Sequence, residues 1–433
     1  MGSSPTSARV YWRLVRYNRN YRRLWLAQLI SELGDWLYVV AIYALLLKLT
    51  GTARSVAIAF VLQVLPQVLV APSAGILNDR ASRKRVMIVA DLTRAVIVLL
   101  MAVAFRVQSV TFIYVLLFLE TVMWACFEPG RSSVVPNITS SEELVAANAL
   151  SSITWSTALA LGSGLGGALA TLLGTDAVFL INSLSFLGSA ALLRGMRFEE
   201  PHLAGAKPLR PRDLIDFSPM AEGLRYVARD RRLVALLFAK AGLGVLAPHW
   251  VLLPIFGERV FPVRAAGLDP ARGAMLAMSV LMAARGVGSL LGPNLGAIWV
   301  GESHPRLRLG ILFGLLLGAA GYFGLAMAPS LWLASAAVIL TNGGGSMGWV
   351  FSTTLLQHHT EDRFRGRVFS ADFASHILSM SVACYLAGRL VDAGMSARHV
   401  ALGTGLLTFL PALGWLGAMR LWRKPATAPR SPA

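Results

Sequence analysis

The chain has 433 residues, of which only 14% are charged, and a mean hydropathy of +0.61. A soluble globular protein carries about 25% charged residues, so a soluble enzyme and a disordered chain are both excluded, and the apolar excess must face lipid. The formal charge of +18 raises nucleic acid as a partner, but the distribution of that charge turns it into a topology signal instead.

A bilayer core is crossed by about 20 apolar residues in a helix. Lipid offers no partner to unpaired backbone groups, so spans are helices or closed barrels. The apolar runs here are too long and too uniform for barrel strands. In chain order they predict twelve helices over 24–49, 56–78, 86–105, 110–128, 146–173, 176–194, 232–256, 273–300, 308–328, 330–356, 367–391 and 398–421. The first run exceeds the apolar region of about 7–15 residues in a signal peptide. It also carries Glu32 and Asp35 and is followed by no A-x-A site, so it is expected to remain as a span. The two cysteines, Cys126 and Cys384, both fall in spans. They form neither a disulfide framework nor a zinc spacing, and no metal or other cofactor is expected.

Of the 40 Lys and Arg, 29 fall on the side holding the N-terminus, 7 on the opposite side and 4 inside spans. Such asymmetry places the N-terminal side in the cytoplasm, with both termini there and the basic loops against anionic headgroups. No basic patch is interleaved with exposed aromatics on a soluble face, so nucleic acid is not an expected partner. The longest polar stretch, 195–231, reads as a cytoplasmic linker in which Pro219–Arg231 forms an amphipathic interfacial helix. It divides an N-terminal six-helix bundle (1–194) from a C-terminal six-helix bundle with a short basic tail (232–433). Pro72-Ser-Ala-Gly75 recurs as Pro293-Asn-Leu-Gly296, and Arg85 as Arg306, both at an offset of 221 residues. This echo is expected of a duplicated, parallel pair of halves.

Between spans two and three the sequence reads Gly75-Ile-Leu-Asn-Asp79-Arg80-Ala-Ser-Arg83-Lys84-Arg85. It resembles motif A of the major facilitator superfamily, G-x-L-x-D-R-x-G-R-K-R, with Ser82 in place of the second glycine. The resemblance implies the major facilitator fold, an all-α membrane protein of twelve transmembrane helices in two six-helix bundles. Gly75 would let two helices approach, Asp79 would face the positive N-terminal end of the eleventh helix, and Arg83 would pair with Glu128. Together these contacts would latch the halves in one state. The alternative is an ordinary positive-inside loop. The matching loop at 300–308 has lost the acid and most of the charge.

Two spans carry stripes of small residues at spacing four: Ala158, Gly162, Gly166 and Ala170 in the fifth, and Ala284, Gly288, Gly292 and Gly296 in the eighth. Each stripe permits close packing. Gly162-Ser-Gly-Leu-Gly166-Gly167 also resembles the antiporter motif C, G-P-x-x-G-G, with Ser163 for proline; simple tight packing explains it equally well. Gly162–Gly167 fits the dinucleotide fingerprint and Gly344–Gly348 the hydrolase elbow, but neither follows a strand, and enzymatic activity has no support. His358 and His359 are adjacent at a helix end and read as interfacial.

Ionisable side chains inside a membrane are expensive and face cavities or partners. Glu32 and Asp35 lie mid-span at spacing three and share a helix face. Such a pair can hold a proton or a cationic substrate; the alternative is a salt bridge to Lys240 or Arg285. Glu120 and Arg285 are further candidates for a cavity wall. Asp91 and Arg94 read as a structural ion pair, while Asp372 and Arg389 have no assigned role. Trp36, Tyr43, Trp124, Trp155 and Trp250 could line a pocket for an aromatic or apolar solute, or pack in the lipid belt.

Four further stretches resemble the enterobactin-exporter and macrolide-efflux branch of the superfamily. They are Asn18–Trp25 with Gly34-Asp35-Trp36, Pro129–Pro136 with Leu144–Leu150, Arg285–Pro293, and Arg365–Phe369. That resemblance implies a monomeric, proton-driven exporter of amphipathic small molecules in a bacterial cytoplasmic membrane. A lysophospholipid flippase of the same fold, or a non-transporting membrane sensor, would fit the same architecture.

Overall fold

The computed structural model describes residues 8–205, 218–264, 266, 268–301, 303–361 and 364–422. The described residues are helical with no strand. An amphipathic helix α1 (Ala8–Tyr17), which the apolar runs did not predict, buries Val10 and Leu14. Asn18 then caps α2 (Arg19–Thr50) by accepting from Tyr21 N–H, and its amide donates 2.6 Å to the Ile138 carbonyl. A cap of this kind is worth about 1 kcal/mol. Gly51, at φ 65°, ends α2 in the left-handed conformation that only glycine adopts freely.

The remaining spans follow as α3 (Ala53–Arg80), α4 (Arg83–Arg106), α5 (Val110–Ile138), α6 (Ser141–Leu173) and α7 (Thr175–Arg194). A short helix α8 (Ser218–Ala228) lies where the linker was expected to be amphipathic, while residues 206–217 of that linker lie outside the described residues. The second bundle comprises α9 (Arg231–Gly244), α10 (His249–Ile255), α11 (Pro270–Val300), α12 (His304–Met327), α13 (Leu331–His359), α14 (Arg365–Asp392) and α15 (Ala397–Ala418). Each predicted span coincides with a helix to within a few residues, except that 110–128 extends to 138 and the seventh is interrupted.

That interruption has a local cause. Pro248 has no N–H to continue the ladder, so α9 stops after Gly244 and the chain turns through 245–248 before α10. Irregular backbone in an apolar layer needs internal partners. Tyr322 of α12 supplies them, donating 2.6 Å to the Leu246 carbonyl and accepting 2.8 Å from His249 N–H. A π-helical turn (Phe256–Val260) completes the span.

Eleven of the described helical segments are long and apolar enough to cross a membrane. The twelfth, α13, has 29 residues, but Thr341-Asn-Gly-Gly-Gly-Ser346 dilutes its middle. Those glycines serve packing. Backbone atoms of Gly314 and Gly318 in α12 lie where a Cβ on Gly344 would point, and Gly292 of α11 abuts the Gly343 backbone. The small-residue stripe of α11 therefore seats α13.

The halves meet along two helix pairs, α3 with α14 and α6 with α11. At the end of the bundle opposite the termini, Asp392 of α14 accepts from the N–H groups of Ala53 and Arg54 at the start of α3, and Arg259 donates 2.9 Å to the Gly51 carbonyl. Glycines allow this closeness. Gly388 faces Ala57, Gly286 faces the Ala160 backbone, and Gly167 faces Ser279 and the Met275 carbonyl.

Candidate functional site

Arg94, from the middle of α4, is the hub of a buried cluster. Its Nη2 lies 2.6 Å from Asp35 Oδ2 on α2, and its Nε and Nη2 both lie 2.9 Å from Glu120 Oε1 on α5. Its Nη1 is 3.8 Å from Asp91 Oδ1, one turn earlier on α4. The guanidinium sits 4.0 Å from the centroid of the Phe186 ring. Ser189 donates 2.5 Å to the other Asp91 oxygen. Three carboxyl groups thus surround one cation, and Asp35 Oδ1 and Asp91 Oδ1 have no hydrogen-bond partner.

This arrangement corrects two sequence readings. Glu32 and Asp35 take different partners: Glu32 accepts 2.9 Å from Gln28, its second oxygen is unpartnered, and it lies beside a second cluster. Asp91–Arg94 is not a pair on its own either, because Arg94 also gathers Asp35 and Glu120. Neither Lys240 nor Arg285 serves the acids of the first span. Lys240 is 3.4 Å from Asp372, donates 2.6 Å to Thr353 and lies 3.7 Å over Trp349. That pair gives Asp372 a role; Arg389 is exposed.

The second cluster centres on Arg131 of α5. It holds Glu128 through two hydrogen bonds and donates to Gln28 at 3.1 Å and to Ser151 at 2.7 Å. The expected Arg83–Glu128 pair is therefore not formed. Glu128 is taken by the arginine one turn along its own helix, and Arg83 bonds the carbonyls of Asn78 and Ser133, with Asp79 3.7 Å away. Asp79 itself is 76% exposed and does not cap α14 in this conformation. A Cβ on Gly75 would meet nothing within 4 Å, so no close helix contact uses that glycine here.

Ser82, the departure from motif A, caps α4 by accepting 3.3 Å from Arg85 N–H and donates 2.6 Å to Glu200. Lys84 donates 2.7 Å to the Met196 carbonyl, and the His202 ring lies 3.1 Å from the Ala81 carbonyl. The segment after α7 thus grips the motif A loop, a contact that sequence spacing did not reveal. Arg80 and Arg85 flank this grip.

The motif C-like glycines divide between two partners. Cβ atoms on Gly162 and Gly166 would strike Trp36 Cβ (2.6 Å) and Leu37 Cα (3.0 Å) of α2, whereas one on Gly167 would strike α11 across the seam. At this seam three of the five predicted aromatics come together. Trp36 and Trp250 stack with centroids 5.8 Å apart, Trp155 meets Trp36 edge-on at 5.8 Å, and Phe60 lies 4.9 Å from Trp250. Arg285 Cζ sits 3.3 Å from the Trp250 centroid. Tyr43 donates 2.6 Å to Gln63, and Trp124 is half-buried on α5. His358 packs on His304, and His359 accepts 3.0 Å from Trp422, so both histidines pack at a helix end.

Residues 24–371 match the Major Facilitator Superfamily. The chain is 25% identical to macrolide efflux protein A of Streptococcus pyogenes over 415 residues, covering 93% of this chain and 95% of that protein. It is 26% identical over 312 residues to YkuC of Bacillus subtilis, an uncharacterised MFS-type transporter, covering 70% and 71%. Among solved structures, a POT family transporter bound to a thioalcohol-conjugated peptide superposes with a TM-score of 0.75 at 11% identity, over 95% of this chain and 99% of that one. A bacterial homologue of the lysosomal transporter Spinster, inward-facing and unoccupied, superposes at 0.66 and 15%, over 95% and 100%. With a motif A loop, two bundles meeting at α3–α14 and α6–α11, and a match across most of its length, this multi-pass membrane protein belongs to the major facilitator superfamily of transporters.

Proposed function

We propose that this protein exports amphipathic small molecules from the cytoplasm in exchange for protons, by alternating access. The observation that carries the reading is the set of three carboxyl groups around the single Arg94 guanidinium. One guanidinium balances one carboxylate. The cluster is electrically neutral only with protons on two of the three, and an uncompensated charge mid-span costs about 2.5–3.5 kcal/mol on insertion scales. Such a cluster gains and loses protons as its access to water changes sides. Asp35, with one unpartnered oxygen, and Glu120 reach Arg94 from other helices, whereas Asp91 shares the helix of Arg94 and is held by Ser189; Glu32 lies on the helix of Asp35, three residues earlier. The closed end at Asp392–Ala53 and the exposed Asp79 support an inward-open state, in which substrate enters from the cytoplasm or inner leaflet. Protons arriving from outside would then favour release and return. One charge moved through 100 mV supplies about 2.3 kcal/mol, enough for roughly fiftyfold accumulation.

The test uses inside-out vesicles from an efflux-deficient bacterium, with the proton gradient followed by an acridine dye. Amphipathic probes of either charge, erythromycin and 2-naphthoate among them, are added in turn, and at least one should dissipate the gradient in the wild type. Asp35→Asn with Glu120→Gln should abolish that response by at least tenfold. A double variant that still drains the gradient on addition of a probe that drains it in the wild type would sink the coupling assignment.

A further inference from the structure

Every buried cation described so far has an acidic partner except one. Arg94 has Asp35, Asp91 and Glu120; Arg131 has Glu128; Lys240 has Asp372. Arg285 is 4% exposed, forms no ion pair, and leaves Nε and Nη1 without a hydrogen-bond partner. Its ionisable neighbours are Tyr43, Tyr322, Cys384 and His249, with no carboxylate among them. A guanidinium held this way in an apolar span is costly unless something else supplies the negative charge.

Its surroundings indicate what that is. Arg285 precedes Gly286, whose Cα faces the Ala160 backbone, so the guanidinium sits where the halves meet. Trp36 from one half and Trp250 from the other lie 19° from parallel, with Arg285 Cζ 5.7 Å and 3.3 Å from their centroids. A ring engages the face of a guanidinium, while the N–H donors lie in its plane. Stacking on Trp250 therefore orients Arg285 without using its donors. Trp155 meets Trp36 edge-on and is 41% exposed, so the aromatic cluster reaches the surface of the protein. Trp250 also follows the break at 245–248 directly, and interrupted spans near the midplane are where transporters of several folds bind substrate.

We propose, on the basis of the exporter reading above, that Arg285 with Trp36 and Trp250 forms the substrate's anion subsite, and that the transported class is an organic monoanion with a flat aromatic or apolar body. A carboxylate or sulfonate takes the unused in-plane donors, where a planar oxyanion is matched by the guanidinium fork, and the ring lies along the two indoles. A cationic substrate would meet the uncompensated charge of Arg285 and be repelled.

The test is selectivity in the purified full chain in lipid nanodiscs, with 2-naphthoate, its neutral isostere 2-naphthamide and 2-naphthylmethylammonium as probes, read by tryptophan quenching and by calorimetry. The wild type should bind naphthoate saturably and the amide at least tenfold more weakly. Arg285→Lys should keep part of that preference and Arg285→Met none. Melting and gel filtration verify the variants, and the wild-type comparison stands without them. Absence of saturable naphthoate binding, equal binding of acid and amide, or preference for the ammonium overturns the subsite. Displacement of naphthoate by equimolar chloride would assign the site to an inorganic anion and overturns it as well. If the wild type shows the acid preference but no proton-linked flux, the exporter reading fails and the subsite stands. If flux is proton-linked and the acid preference is absent, only the subsite fails.

Discussion

Asp392 reaches across the seam to Ala53: its carboxylate oxygens lie 2.7 Å from Ala53 N–H and 2.9 Å from Arg54 N–H. The acceptor closes one helix of the C-terminal half and the donors open one of the N-terminal half. The motif A aspartate stands in the reciprocal position, since Asp79 closes α3 and is expected to face the start of α14. One acid is engaged here and the other is 76% exposed. The two read as alternate latches on the same helix pair, one for each end of the bundle.

Removing Asp392 should therefore shift the conformational balance rather than unfold the protein. An N-terminal capping carboxylate is worth about 0.5–2 kcal/mol, so Asp392→Ala should favour the state open at that end by roughly fivefold. Asp79→Ala should shift the balance the opposite way. Distances between spin labels at the two ends of α3 and α14 report the populations. Identical distributions in wild type and Asp392→Ala would show that the contact does not hold the end closed.

Arg94 predicts a different kind of loss. Breaking a buried ion pair by removing one partner costs about 3–5 kcal/mol, and Arg94→Met leaves three carboxyl groups without a cation. The variant should melt well below the wild type in detergent. Asp35→Asn removes an acid from an acid-rich cluster and should be close to neutral for melting while impairing proton coupling. Equal melting losses in both variants would contradict the charge count.

The span count, the motif A loop and the small-residue stripes were legible because each depends on residues near one another in sequence. Apolar run length alone sets a helix in lipid, and spacing four alone sets a shared face. The partners of the buried charges were not legible. Arg94 is 59 residues from Asp35 and 26 from Glu120, and nothing local marks α2, α4 and α5 as converging there. Spacing three put Glu32 and Asp35 on one face, but Gln28 draws the first toward Arg131 and Ser151 while Arg94 takes the second. The break before Pro248 was not predicted, since Pro66, Pro72 and Pro293 sit inside unbroken helices and a proline alone does not mark a break. Its consequence, the placement of Trp250 against Arg285, required the helix packing.

Lys240 and Asp372 give a pair-specific test. The ammonium is buried, and its only acidic contact among the described residues is the carboxylate at 3.4 Å. Asp372→Asn alone strands a buried charge and should destabilise by about 3–5 kcal/mol. The double variant Lys240→Met, Asp372→Asn removes both charges and should recover most of that loss, since replacing a whole buried pair is often near neutral. A thermal-melting double-mutant cycle reads the coupling; additive losses would mean that the two side chains are not energetically paired.

Glycine substitutions separate packing within a half from packing between halves. A Cβ on Gly166 meets Leu37 Cα at 3.0 Å, inside the N-terminal bundle. Backbone cannot move aside as a side chain can, so Gly166→Ala should destabilise by about 1–3 kcal/mol in every conformation. A Cβ on Gly167 meets Ser279 and the Met275 carbonyl of the other half, across the seam. Gly167→Ala should spare the N-terminal bundle and instead favour the state in which α6 and α11 have parted. Gly75 has open space around its Cβ position here, so Gly75→Ala should leave this conformation unaltered and disfavour only the state in which the motif A end closes. Melting combined with labelled distances distinguishes the three. If Gly75→Ala lowered the melting temperature as much as Gly166→Ala, the glycine would be packing within its own half, and the latch role for motif A would have to be abandoned.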